Sequence, residues 1–252
     1  MTDGSASVGG ALRAGLAEWR PALDACWAAL AVAAVLAMVA GWLPAGVGPL
    51  AALAAGVIAQ GALFRRVFAR SPGFKGLRWG SDEWRLLGAH LLALGLVVLI
   101  GSILLVVIGA VVLGVARASA PGLDIGSAQA WKDAVAHAGP AGFVVGLAPL
   151  AGLAILVWLS LRLSLTAPAT VAQGGVRVLS AFPLTKGRVP VLLAVSLVLA
   201  APAVLVGLVL GAASPRGPGA AAVAAAIAYF VLAPVWAGAI AHIYRQAAVL
   251  QD

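Results

Sequence analysis

Apolar runs of about 18 residues or more, the length that carries a helix across the hydrocarbon of a bilayer, recur from one end of this chain to the other. Backbone N–H and C=O groups have no water to bond within that layer, so each run must be a helix that closes its own hydrogen bonds. The runs are read as helices over residues 22–42, 47–64, 86–116, 141–161, 189–213 and 220–244. The expected fold is all-α: a polytopic membrane protein of six transmembrane helices in three hairpins, with cytoplasmic interfacial elbow helices between them. Composition leaves little room for a soluble domain, since 63% of residues are hydrophobic and 10% charged, against about 25% charged in soluble domains. The domain limits expected are an interfacial segment over 1–20, a transmembrane domain over 21–246 and a tail over 247–252.

Punctuation between the runs follows turn chemistry. Residues 1–20 lack the compact basic start of a signal peptide and are expected to be retained. Within them Val8, Leu12, Leu16 and Trp19 share one helical face, which suits a helix lying on the bilayer. Pro21 is placed to open the first span, and Leu43-Pro44-Ala45-Gly46 to turn it. Ser71-Pro72-Gly73 breaks the chain after Arg65, Arg66 and Arg70, and Ser81 reads as an N-cap with Asp82 and Glu83 in the positive first turn of the third span. Asp82 is within i+3 reach of Arg85. The run from Leu86 to Ala116 is about 46 Å of helix at about 1.5 Å per residue, so it must tilt, kink or begin in the interface. Ser127 is placed to cap a short amphipathic helix carrying Trp131 and Val135, and Ser214 to Pro218 forms the last turn. Gly142 with Gly146, and Gly207 with Gly211, have the spacing that lets membrane helices approach closely.

Charge then orients the spans. Of the sixteen Lys and Arg residues, all but Arg117, Lys132 and Arg216 fall on one side of a six-helix topology, which the positive-inside rule makes cytoplasmic, with both termini. The net charge of +8 is read as headgroup contact and orientation, without nucleic-acid binding.

The helix centres contain no Asp, Glu, Lys or Arg, which argues against proton relays and ion pathways. No P-loop, dinucleotide fingerprint, HExxH, CxxC or GxSxG is found, so no enzyme, cofactor or metal is expected. Cys26 stands alone inside the first run and reads as a small packing residue. Gln60, Ser102, Ser160 and Ser196 are read as polar glue between helices. His90 and His242 both fall near the cytoplasmic end of a helix; a haem or pigment would need them to face a buried cavity, and interfacial packing explains them without one.

Two segments, Arg65 to Arg85 and Arg162 to Arg188, carry ten of the sixteen cations and mix them with Gly, Pro and aromatic residues. In the second, Arg162-Leu163-Ser164-Leu165, Pro168, Gln173-Gly174, Ala181-Phe182 and Leu184-Thr185-Lys186-Gly187-Arg188 resemble a signature of bacterial six-helix inner-membrane proteins similar to the membrane domain of glycerophosphoryl diester phosphodiesterases. Gly80 to Leu87 and Ile243-Tyr244-Arg245-Gln246 resemble alphaproteobacterial members of the same group. Gln173 stands where such relatives often carry an acid. The resemblance is to the membrane domain alone, and it implies the fold and a location in a bacterial inner membrane, not hydrolysis. The expected function is a noncatalytic structural or accessory membrane protein, able to join a larger assembly or a homo-oligomer. Its Arg65, Arg66, Arg78, Arg85, Arg162, Arg177, Lys186 and Arg188 are expected to contact anionic lipid or a partner. The alternative reading is a small permease or lipid-handling protein.

Overall fold

The structure, a computed structural model, describes residues 7–71, 73–124, 126–213 and 218–249. Asp3, Pro72, Asp252 and most of the turn read at Ser214 to Pro218, Arg216 included, lie outside the described residues, as does the side chain of Val135. The helices are α1 (Val8–Ala40), α2 (Gly48–Val67), α3 (Ser81–Ser119), α4 (Ala128–His137), α5 (Pro140–Leu163), α6 (Thr166–Gln173), α7 (Ala181–Leu184), α8 (Val189–Ala213), α9 (Pro218–Ile227) and α10 (Ala233–Ala248). A π-helical turn, Ala228–Leu232, joins the last two. Among the described residues there is no strand, only an isolated bridge between Phe74 and Leu77. Among the described residues six helical segments are long and apolar enough to cross a membrane. The fold is therefore all-helical with six candidate spans. It divides into two compact units, Met1–Leu92 with Leu161–Asp252, and Ala93–Ser160.

The first unit is organised by α1, which packs chiefly on α2 and α10. The helix starts where Ser7 Oγ accepts the Gly10 N–H at 3.0 Å, and it runs unbroken through Pro21. Residues 8–20 are thus the first turns of one long helix, not a separate element. Its buried stripe is Ala11, Gly15, Ala22, Cys26, Ala29 and Ala33, while Leu16, from the apolar face read in the sequence, is 62% exposed. Small residues win that stripe because they let backbones approach. A Cβ on Gly238 would come within 3.0 Å of the Gly15 Cα, so neither glycine leaves room for a side chain. Val57, Leu63 and Phe64 of α2 complete this core with Leu30 of α1 and Ala237 and Ala241 of α10. A second cluster, Leu165, Leu184, Leu192, Ile240 and Ile243, seats α6, α7 and the start of α8 on α10.

Proline chemistry explains the π turn. Pro234 has no N–H to give the carbonyl four residues earlier, Phe230 O, and its ring crowds that carbonyl. The helix widens there, with the Ala233 N–H reaching back to Ala228 O. Phe230 O is then supplied from another helix: the Trp19 indole N–H donates to it at 2.8 Å. One proline thereby fixes where α1 meets the last span.

In the second unit, Ser127 Oγ accepts the Ala130 N–H at 3.2 Å, the cap expected of α4. Ser102 and Ser160 donate to carbonyls of their own helices, Leu99 O and Leu156 O. The side of Gly152 on α5 is filled by Ile108 of α3. Glycines at the GxxxG spacing behave differently from expectation: Gly146 here, and Gly207 in the first unit, have no neighbouring atom within 4 Å among the described residues. The spacing makes a smooth face but does not place a helix against it.

Trp19→Phe removes the indole donor at Phe230 O and is expected to cost about 1–3 kcal/mol, read as a lower thermal unfolding midpoint in detergent. In a Pro234→Ala background the new backbone N–H supplies that carbonyl, so the same change should cost clearly less. Additive losses would contradict the account.

Candidate functional site

The site is built around a charge pair at the meeting of α2 and α3. Arg65 ends α2 and Glu83 lies in the first turn of α3; their side chains form an ion pair, each 1% exposed. Backbone nearby meets part of what remains, while Arg65 Nε is buried without a hydrogen-bond partner among the described residues. Arg65 Nη2 donates to Gly76 O at 3.0 Å, and the Gly80 N–H donates to Glu83 Oε2 at 2.8 Å. The second contact is half of a capping box, with Gly80 as the cap, because Gly80 O accepts the first helical bond from the Trp84 N–H at 3.2 Å. Ser81, the cap expected from sequence, is the first helical residue instead. Gly61 makes the pair possible: a Cβ there would collide with the Glu83 carboxylate.

The loop between these residues folds back over α1 and α2. Helix α2 closes with a Schellman pair, Arg70 N–H to Arg65 O at 2.7 Å and Ala69 N–H to Arg66 O at 3.0 Å, with Ala69 left-handed at φ 54°. Gly76, at φ 81°, lies so close to the Cys26 backbone that any side chain would strike it. Lys75 O accepts from the Ala29 N–H at 3.4 Å, within α1. No helix forms between Phe68 and Gly80 among the described residues, so the first elbow is a folded loop, not an elbow helix.

Outside the buried pair, further charges tie helix ends together. Arg66 Nε meets Glu18 of α1 at 3.0 Å. Asp82 is shared by Arg70 at 3.3 Å and Arg85 at 3.6 Å, the latter being the i+3 contact read in the sequence. Arg70 also donates to Ala172 O at 3.1 Å, at the negative end of α6, and Arg245 donates to Val67 O at the end of α2. Arg245 also stacks over Phe68 at 5.6 Å.

The second segment is held by the same device, guanidinium on carbonyl. Helix α6 stops at Gly174, left-handed at φ 66°, whose N–H bonds Thr170 O. Thr170 Oγ1 accepts the Arg177 N–H at 3.3 Å. Arg162 donates to Phe182 O at 2.8 Å and to Thr185 Oγ1 at 3.4 Å, with its guanidinium 6.0 Å from the Phe182 ring centre. Arg188 donates to Leu184 O at 3.4 Å and Gln246 O at 3.0 Å, and burial lowers its pKa from the ordinary arginine value. Gln173 donates to the Tyr244 hydroxyl at 3.2 Å, a contact that explains an amide at that position.

The eight site residues expected from sequence therefore separate. Arg78, Arg177 and Lys186 are exposed. Arg66 and Arg85 are partly exposed and ion-paired, and Arg162 and Arg188 are half-buried on carbonyls. Arg65 is withdrawn from any headgroup by its burial against Glu83, which corrects its place in that set. Sequence reading missed Glu83 as a core residue, Gly61 as the space it needs and Gly76 as the close approach to α1; a glycine four residues before a terminal arginine gives no pattern to notice. His90 Nδ1 is bonded to Leu86 O at 2.8 Å, and His242 lies against Gly10 of α1. Among the described residues no three His, Cys, Asp or Glu side chains gather as metal ligands. What this geometry offers chemically is a rigid set of loops presenting cations. Comparison with family models, curated proteins and solved structures finds no match for the chain.

Breaking the buried pair on one side, by Arg65→Met or Glu83→Leu, should lower stability by about 3–5 kcal/mol, because the other charge is stranded. The double variant Arg65→Met/Glu83→Leu should recover most of that loss in thermal unfolding of the purified protein. A double variant as unstable as the worse single would show that the pair does not act as a unit.

Proposed function

We propose that this chain is a noncatalytic, structural or accessory protein of a bacterial inner membrane, whose basic end binds anionic lipid headgroups. Three hairpins would place α1's first turns, the segments around Arg65–Arg85 and Arg162–Arg188, and the last turn of α10 on the cytoplasmic side. The observation that carries the reading is the division of labour among the cations. Arg65, Arg162 and Arg188 are spent inside the fold on a carboxylate and on carbonyls, and the loops they fix leave Arg78, Arg177 and Lys186 exposed. A cation that only balanced the fold would be paired, and among the described residues no carboxylate lies within 4.0 Å of these three. Exposed apolar side chains beside them, Leu179 at 72% and Phe74 at 73%, can enter the interface while the cations meet phosphate. The resemblance to a membrane domain joined to lipid-headgroup enzymes is in keeping with this role, as an association.

Native mass spectrometry of the protein released from mixed vesicles should retain anionic lipid over zwitterionic lipid. The triple variant Arg78→Gln/Arg177→Gln/Lys186→Gln should lose most of that preference, each cation contributing about 1 kcal/mol near a charged surface. Equal retention by the variant, or retention of a protein partner in place of lipid, would overturn the lipid reading.

Orientation is tested separately. In a Cys26→Ala background, Lys132→Cys should react with a membrane-impermeant maleimide in intact cells, whereas Lys186→Cys should react only after lysis. The reverse pattern would place the basic end outside.

A further inference from the structure

Three arginines from separate parts of the first unit meet where α6 ends. A Cβ on Gly174 would lie 3.5 Å from Arg85 Nη1 and 3.7 Å from Arg70 Nη2, and one on Gly175 would lie 3.8 Å from Arg177 Nε. The end of α2, the start of α3 and the segment after α6 thus each bring a guanidinium to two consecutive glycines. Like charges gathered this way repel unless an anion lies among them. Among the described residues one carboxylate serves them: Asp82 Oδ1 meets Arg70 Nη1 at 3.3 Å and Arg85 Nη1 at 3.6 Å. Glu18 and Glu83 are taken, by Arg66 and Arg65. One carboxylate against three guanidinium groups leaves two positive charges unbalanced.

The cluster is held in place but not closed. Arg70 is anchored by Asp82 and by Ala172 O, yet its side chain stays 35% exposed. Arg85 is 40% exposed, and its 3.6 Å approach to Asp82 is longer than a hydrogen bond, so its donors are unspent among the described residues. Gly174 is left-handed and ends α6, which accounts for its being glycine. Gly175 has no such reason: its φ is not positive, and a Cβ there would meet nothing within 4 Å but Arg177 Nε. A glycine that neither backbone nor packing demands suits the close approach of another molecule to the chain.

Charge narrows the occupant. A phosphomonoester carries about −1.5 to −2 at neutral pH and offers three terminal oxygens to guanidinium forks, whereas a phosphodiester or a carboxylate brings a single charge. Apolar surface adjoins the cluster, since Val176 is 45% exposed with Cγ2 3.8 Å from the Cβ position of Gly88 in the third span, and Leu179 is 72% exposed. We propose that Arg70, Arg85 and Arg177 form a headgroup site for a lipid phosphomonoester, of the phosphatidic acid class, with the phosphate against Gly174 and Gly175 and an acyl chain along Val176. The site deepens the anionic-lipid reading, on which it rests, by adding a choice among anionic lipids that surface charge alone does not make.

The test is native mass spectrometry of the whole protein in detergent, titrated with phosphatidic acid and, separately, with phosphatidylglycerol of the same acyl chains. Phosphatidic acid should bind about tenfold more tightly, the worth of one further charge-assisted contact. Arg85→Gln removes one guanidinium, and Gly175→Leu fills the space beside another while keeping every arginine. Each should bring phosphatidic acid down to the phosphatidylglycerol level. Arg78→Gln/Lys186→Gln should weaken both lipids alike and leave their ratio unchanged. Glycerol 3-phosphate, the same headgroup without chains, should displace phosphatidic acid only at about a hundredfold excess, because it lacks the apolar contact. Displacement at equal concentration overturns the lipid occupant. Equal affinity of the two lipids for the unaltered chain, or a ratio unmoved in Arg85→Gln or Gly175→Leu, overturns this site and leaves the anionic-lipid reading standing; failure of both lipids to bind overturns both. The comparison of lipids uses the unaltered chain and decides the matter even where a variant fails to fold.

Discussion

The Arg65–Glu83 pair is the contact on which the first unit depends, because two full charges lie together out of water where neither can stay alone. A buried ion pair gains little over a well-packed apolar pair, but the loss of one partner is severe. The consequence is geometric. Glu83 must sit in the first turn of α3, where it also caps Gly80, and Arg65 must sit in the last turn of α2, where it also holds Gly76 O. The loop between them has no freedom left to slide; it doubles back through left-handed Gly73 and Gly76, and also through Ala69 and Lys75, where a side chain makes that conformation costly. Gly61 then has a role that no local rule assigns: it is the absence of a side chain that admits a carboxylate.

The same economy governs the remaining arginines. Helix ends leave carbonyls without donors, and in a protein that is largely apolar there are few side chains to supply them. Arg70 at Ala172 O, Arg162 at Phe182 O, Arg188 at Gln246 O and Arg245 at Val67 O each meet that need across a gap between elements. Arginine suits this better than lysine, since its planar fork spreads several donors and its face stacks on Phe68 and Phe182. The positive charge of this end is thus first a product of helix termination. Lys75 and Lys186, both exposed, belong to the other population, which the fold does not use.

The spans were legible because hydrocarbon imposes one requirement on many consecutive residues, and every helix read from apolar length has a counterpart among the six candidate spans. The cap at Ser127 and the Asp82–Arg85 contact were legible because both are local. Burial was not. In a chain where nearly every span residue is apolar, hydrophobicity cannot say which face packs, and α1 chose Ala11 and Gly15 over Leu12 and Leu16 because closeness, not oiliness, is what a helix neighbour rewards. The π turn was hidden for a related reason: Pro234 announces a missing N–H, but the donor that replaces it comes from Trp19, at the far end of the chain.

That long-range repair bears on how polar groups inside a membrane should be read. Phe230 O, Ser102 and Ser160 are all satisfied within the fold, by an indole in the first case and by their own helices in the others. The repair is selective: Gln60 Oε1, Thr166 Oγ1 and Gln246 Oε1 are buried without a hydrogen-bond partner among the described residues. A main-chain carbonyl freed by a proline is fixed in place by its helix, whereas a side-chain oxygen keeps some freedom to turn, and the long reach of Trp19 falls on the less adjustable group.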